Sequence, residues 1–158
     1  MEKQFEILRN TRKFLLSLVD DLTLEQLNEI PPGFNNNVIW NLGHIVAAQA
    51  GVCYVRGGLP LPIDEQLFLA YKPDSKPSST ASEEQVQTIK ELLFSTLDQL
   101  EEDYKNGAFA NYKPWTNRYG VEHKTIEDTF AFLPFHDGLH LGYIMAQKRA
   151  LKNKMVIQ

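Results

Sequence analysis

Only one cysteine, Cys53, occurs in the 158 residues. That excludes an intramolecular disulfide framework and suits a reducing compartment. An excess of positive charge is also missing: 16 Lys and Arg stand against 20 Asp and Glu, a formal net charge of -4. Nucleic acids and anionic membranes select basic surfaces, so neither is expected as a partner. No run approaches the roughly 18 apolar residues that a membrane-spanning helix needs. The opening MEKQFEILRNTRKF is charged and amphipathic rather than built on the apolar core of a signal peptide. A cytoplasmic protein is the expectation. What is present is ordinary for a globular chain, 43% apolar and 23% charged, enough for one domain spanning 1–158.

Strand signals are sparse and helical periodicity dominates. Phe5, Leu8, Leu15, Leu18 and Leu22 recur at spacings of three, four and seven with charged residues between them, the mark of an amphipathic helix. Thr23 caps a short helix that Pro31-Pro32-Gly33 ends. The stretch 34–58 predicts a second long helix, capped at Asn36 or Asn37 and stopped by Gly57-Gly58. It is apolar on more than one face, so a central position is expected. Its small residues Ala47, Ala50 and Gly51 permit a close neighbour, within the chain or from a second subunit. Four prolines (60, 62, 73 and 77) make 59–80 a long connection with about one helical turn near 64–70. Thr80 and Glu83 form a capping-box pair opening a third helix, which Asn106-Gly107 closes. After an aromatic, turn-rich segment with a short extended piece (108–122), Thr125 and Asp128 open a last helix to about Leu151. Pro134 predicts a kink or restart within it. Four long helices and two long crossovers predict an all-α bundle.

Histidine is scarce as well: His44, His123, His136 and His140 are the whole set. His136 and His140 are four apart, so both rings leave one helix face. Such a pair can be half a metal site, a protease fragment, or two packed core residues. A metal site needs a third ligand from another element. His44, midway along the apolar second helix, is the best candidate, because an imidazole in a bundle interior needs a partner. His123 lies in a charged stretch and reads as a surface residue. Cys53, nine residues after His44, falls on roughly the opposite helix face and reads as a small core residue. The string HDGLH approximates the HExxH of zinc proteases, but Asp137 replaces the glutamate and shortens the reach of a general base.

Trp40-Asn41-Leu42-Gly43-His44-Ile45 in the second helix and His136-Asp137-Gly138-Leu139-His140-Leu141-Gly142 in the last, separated by a long irregular crossover, resemble the DinB-like (DinB/YfiT-like) superfamily. The resemblance covers nearly the whole chain. It implies a four-helix bundle of up-down-down-up topology with long crossover loops, and pairing into a homodimer. It implies a three-histidine divalent-metal site on His44, His136 and His140. Asp137 stands where the family commonly has Glu, a departure that bears on the carboxylate rather than on the ligands.

Three neutral imidazoles leave coordination positions open, the arrangement of a catalytic rather than a structural ion. Zn or Ni suits such a set. Relatives implied by the resemblance include metal-dependent thiol transferases and hydrolases. A small-molecule substrate, in that case a thiol, is therefore expected, with the ion activating thiol or water and no side-chain nucleophile assigned. Asp137 is a candidate orienting acceptor, while Asn41 and Tyr143 lie one turn from a histidine and are candidate pocket residues or plain packing. The rival reading is a non-catalytic metal- or ligand-binding dimeric bundle.

Overall fold

The computed structural model describes residues 1–156 and is overwhelmingly helical. Helix α1 spans Glu2–Val19, α2 Leu24–Asn28, α3 Val38–Ala50, α4 Glu65–Tyr71, α5 Glu83–Lys105 and α6 Ile126–Val156. A π-helical turn, Gly51–Val55, continues α3 directly. Two short antiparallel strands, β1 (Trp115–Thr116) and β2 (Glu122–His123), pair Trp115 with His123. The all-α class follows as expected. Helix α1 packs on α5 and α6, and α3 packs on the same two, so four long helices close a ring.

The buried stripe of α1 is Phe5, Leu8, Arg12, Leu15 and Val19, a regular alternation of three and four. One member is charged, and Arg12 is wholly buried. Every residue of α3 is buried, as its apolar, many-sided pattern predicts. The expectation that no segment is apolar enough to span a membrane needs correction. Val38–Val55 has the length and a mean hydropathy of 1.4, because Asn41, His44 and Gln49 are too few to offset their neighbours. That segment is 83% buried inside the protein, where α3 packs on α2 and α4 as well as on α5 and α6.

Helix boundaries follow local chemistry. Thr23 and Gln26 form a capping box on α2, and Asn37 Oδ1 accepts from the Trp40 N–H to start α3. The box on α5 is Ser82 with Gln85, which corrects the expected Thr80–Glu83 pair by two residues. Asn28 sets the later start: its amide accepts from Ala81 N at 2.7 Å and donates to Ala81 O at 3.0 Å. Residue 81 is thereby tied to α2 and cannot join the helix. Helix α6 runs through Pro134 without a restart. Packing against α1 and α3 along its length offsets the hydrogen bond that proline removes.

Candidate metal centre

The apolar seam of α6 carries Ile126, Phe130, Leu133, Asp137, Ile144, Gln147 and Leu151, all buried. His140 completes the same three-and-four spacing, and His136 leaves the helix one turn before it. Opposite them, α3 presents His44, 7% exposed. One nitrogen from each of His44, His136 and His140 lies within 4.8 Å of the others. Ring centroids are 5.4 Å apart for His44–His136, 4.8 Å for His44–His140 and 4.6 Å for His136–His140. The fold thus brings together the three histidines that the sequence singles out.

Neighbouring groups settle which nitrogen of two rings is free. His44 Nδ1 lies 2.8 Å from the Tyr71 carbonyl oxygen. A carbonyl only accepts, so Nδ1 carries the proton and Nε2 keeps its lone pair. Gly43 makes this contact possible, because a Cβ there would sit 2.5 Å from the Tyr71 ring. Trp40 stacks on the other side, 4.7 Å from His44 and nearly parallel. Its indole N–H donates to Ser75 Oγ, so the connection after α4 also holds the ring.

His140 is fixed by an amide. Asn41 Nδ2 donates to the Asn37 carbonyl at 2.8 Å, which orients Oδ1 toward His140 Nδ1, also at 2.8 Å. His140 Nδ1 must therefore donate, again leaving Nε2 as the lone pair. Asn41 is braced in turn by Asn36 Oδ1 and Gln147 Oε1, and Gln147 Nε2 donates back to Asn36. Of the two neighbours that the sequence offered as pocket or packing residues, Asn41 thus bears directly on a histidine. Tyr143 instead packs edge-on against Phe34.

His136 is held less firmly. Its Nδ1 lies 3.8 Å from Asp137 Oδ1, beyond hydrogen-bond reach, and both atoms are buried without a partner. Asp137 is itself fully buried and accepts from Arg12 Nε at 2.8 Å, while Arg12 Nη1 donates to the Leu93 carbonyl. Burial pushes the Asp137 carboxyl up, yet Arg12 and the neighbouring His136 together outweigh it and hold the carboxyl below its ordinary range. Arg12 is the residue that sequence reasoning missed. Its signal was visible: it stands four after Leu8 and three before Leu15, on the apolar stripe.

Burial, reinforced by the neighbouring His136, lowers His44 to about 4. Burial, then His136 and His44, lowers His140 to about 3. Both rings are neutral at pH 7, the form that ligates a metal. The donor set therefore fits a divalent ion. The positive charge of Arg118 also reaches His44 and His140, lowering both.

Two other residues complete the comparison with the sequence. His123 is 4% exposed, which corrects its reading as a surface residue: β-pairing stacks it on Trp115 at 4.5 Å, a contact its charged sequence neighbours do not reveal. It is not among the clustered three. Cys53 is buried with Phe5, Phe109 and Phe130 in a separate core cluster, where burial pushes its thiol up. Residues 7–144 match a family model described as the DinB superfamily. No curated protein matches the chain.

Proposed function

The chain belongs to the DinB superfamily, and on that premise we propose that it is a divalent-metal protein acting as a metal-dependent thiol-S-transferase-like enzyme or hydrolase. The observation that carries this reading is the convergence of three imidazoles, two with Nδ1 committed to obligate acceptors. His44, His136 and His140 are the ligands in this reading, and Zn or Ni is the ion best suited to three nitrogens and water. A bound ion of this kind supplies a Lewis acid that lowers the pKa of water or stabilises a thiolate or oxyanion. Tyr71 and Asn41 hold two rings in the ligating tautomer, and Asp137 faces the third. Arg118 adds a positive charge beside the site, which favours an anionic ligand such as a thiolate.

Two coarser expectations accompany this reading. A cytoplasmic location agrees with the lone cysteine, which is free. Pairing with a second copy is supported by α6, where Leu139 and Met145 are exposed and Gly138 and Gly142 leave open space beside the helix.

Metal content of protein purified without a nickel column, followed by zinc titration, tests the proposal. His44→Ala, His136→Ala and His140→Ala are each expected to abolish tight binding, and His123→Ala to retain it. His44→Ala is the most informative, because it probes the approach of α3 to α6. Equal loss in all four variants, or no stabilisation of the parent protein by Zn or Ni, sinks the reading.

A further inference from the structure

Beside the histidine cluster, the β1–β2 turn and the first half of α6 enclose a groove of about 460 Å³ that includes Tyr119, Val121, His123, Ala131, Phe132 and Phe135 in its walls. Its size falls within the range of small-molecule clefts, and its walls are mostly apolar and aromatic. Phe132 is shared between the two places. It lines the groove, and its ring lies 5.8 Å from that of His136. The turn is shared as well: Asn117 and Tyr119 line the groove, and Arg118 between them acts electrostatically on His44 and His140. The groove therefore adjoins the cluster through Phe132, the one lining residue among those described whose ring meets that of a clustered histidine.

The walls are stiff enough to hold a shape. Asn117 Oδ1 accepts from the backbone N–H groups of Tyr119 and Val121, closing the turn. Its Nδ2 faces His123 Nε2 at 3.0 Å. Trp115, His123, Phe132 and Phe135 then form one run of ring contacts, with Tyr119 edge-on against Phe135. Even so, Tyr119, Val121 and Phe135 remain more than half exposed. Apolar side chains ordered in this way but left open to solvent mark a binding surface.

We infer that this groove receives the apolar body, an aryl or alkyl group, of a small molecule whose polar end sits at the three histidines. The inference rests on the proposed metal reading and deepens it by assigning a substrate class: an anion or metal-binding head carrying a hydrophobic group. A second copy of the chain is the competing occupant, because Phe135 continues toward the exposed Leu139 of α6. The ring contact between Phe132 and His136 favours the small molecule, since it joins the groove to the place where chemistry is proposed.

Calorimetric titration of the zinc-loaded protein with acetohydroxamate and with 3-phenylpropionohydroxamate separates the two readings. Both carry the same head group and only the second carries a ring. The phenyl compound is expected to bind about 10- to 100-fold more tightly, the value of burying one such ring. Ala131→Arg on exposed α6 and Val121→Asp in the turn are each expected to erase that advantage while leaving acetohydroxamate binding unchanged, which also reports an intact fold. Equal affinities in the parent protein overturn the groove and leave the metal reading standing. Failure of both compounds to bind the zinc-loaded protein overturns the open coordination site and the inference with it, while metal binding itself is decided by the zinc titration above. A variant that retains the phenyl advantage yet converts a dimer to a monomer in sedimentation assigns the groove to the subunit contact and overturns the inference.

Discussion

Helix α6 is gripped by polar groups on two sides, and the two seams are built differently. Toward α1 the seam is ionic: Arg12 meets Asp137, both fully buried. Toward α3 it is an amide network, in which Asn41, Gln147 and Asn36 exchange hydrogen bonds and Asn41 orients His140. The amide seam leaves none of its side-chain atoms among the buried atoms without partners. The ionic seam leaves Arg12 Nη2 and Asp137 Oδ1, and beside them His136 Nδ1. An amide both donates and accepts, so a few of them can satisfy one another, whereas a guanidinium with five N–H groups needs more acceptors than one carboxylate supplies. The neutral seam therefore fixes its histidine, and the charged seam fixes its helix while leaving His136 freer to move.

Breaking the ionic seam is expected to have the largest effect. Asp137→Ala strands the Arg12 guanidinium in the core and should cost about 3–5 kcal/mol in urea unfolding of the metal-free protein. The paired change Arg12→Met with Asp137→Leu should recover most of that loss. If the double variant is as unstable as the single one, the uncompensated charge is not the cause.

Acid should separate the seams by pH. His44 and His140, lowered to about 4 and about 3, stay neutral in the folded chain while the unfolded chain takes up protons below about 6.5. Their contribution is thus present above that value and is lost as pH falls toward the folded values. From pH 7 to 5.5 the metal-free protein should lose about 2 kcal/mol from the two rings together. Asp137, held below its ordinary range by Arg12 and His136 against the cost of burial, contributes stability that is present above the usual carboxylate region and is lost only as pH falls through and below it, so the ionic seam is unaffected in this window. Melting curves at the two pH values measure the difference, and His44→Ala should flatten it. An unchanged midpoint in the parent protein contradicts the assignment.

The smallest effect is expected from Asn41→Leu, which keeps the volume of the amide seam but removes the acceptor for His140. Zinc affinity should fall about 10-fold. Asn41→Asp retains an acceptor and should restore part of it. Unaltered affinity in the leucine variant would show that His140 needs no orienting partner.

Periodicity was enough to locate the long helices, because an amphipathic pattern reports directly on which face meets the core. The spacing of His136 and His140, and the burial of His44 on an all-apolar helix, were legible for the same reason. The start of α5 was not: Thr80–Glu83 looked like its capping box, but Asn28, 53 residues before Ala81, ties residue 81 outside the helix and Ser82–Gln85 caps it instead. His123 sits in a charged stretch, and only the strand pairing that places it on Trp115 buries it.

Local spacing and side-chain type specify an all-α chain, its candidate histidines and the small residues that let helices approach. Long-range packing sets which nitrogen His44 and His140 offer, that Arg12 ends opposite Asp137, and that an aromatic groove adjoins His136. Those facts arise from pairs as far as 125 residues apart in Arg12–Asp137 and 99 in Asn41–His140. Hydrogen-bond direction and burial are properties of such pairs, and no local pattern encodes them.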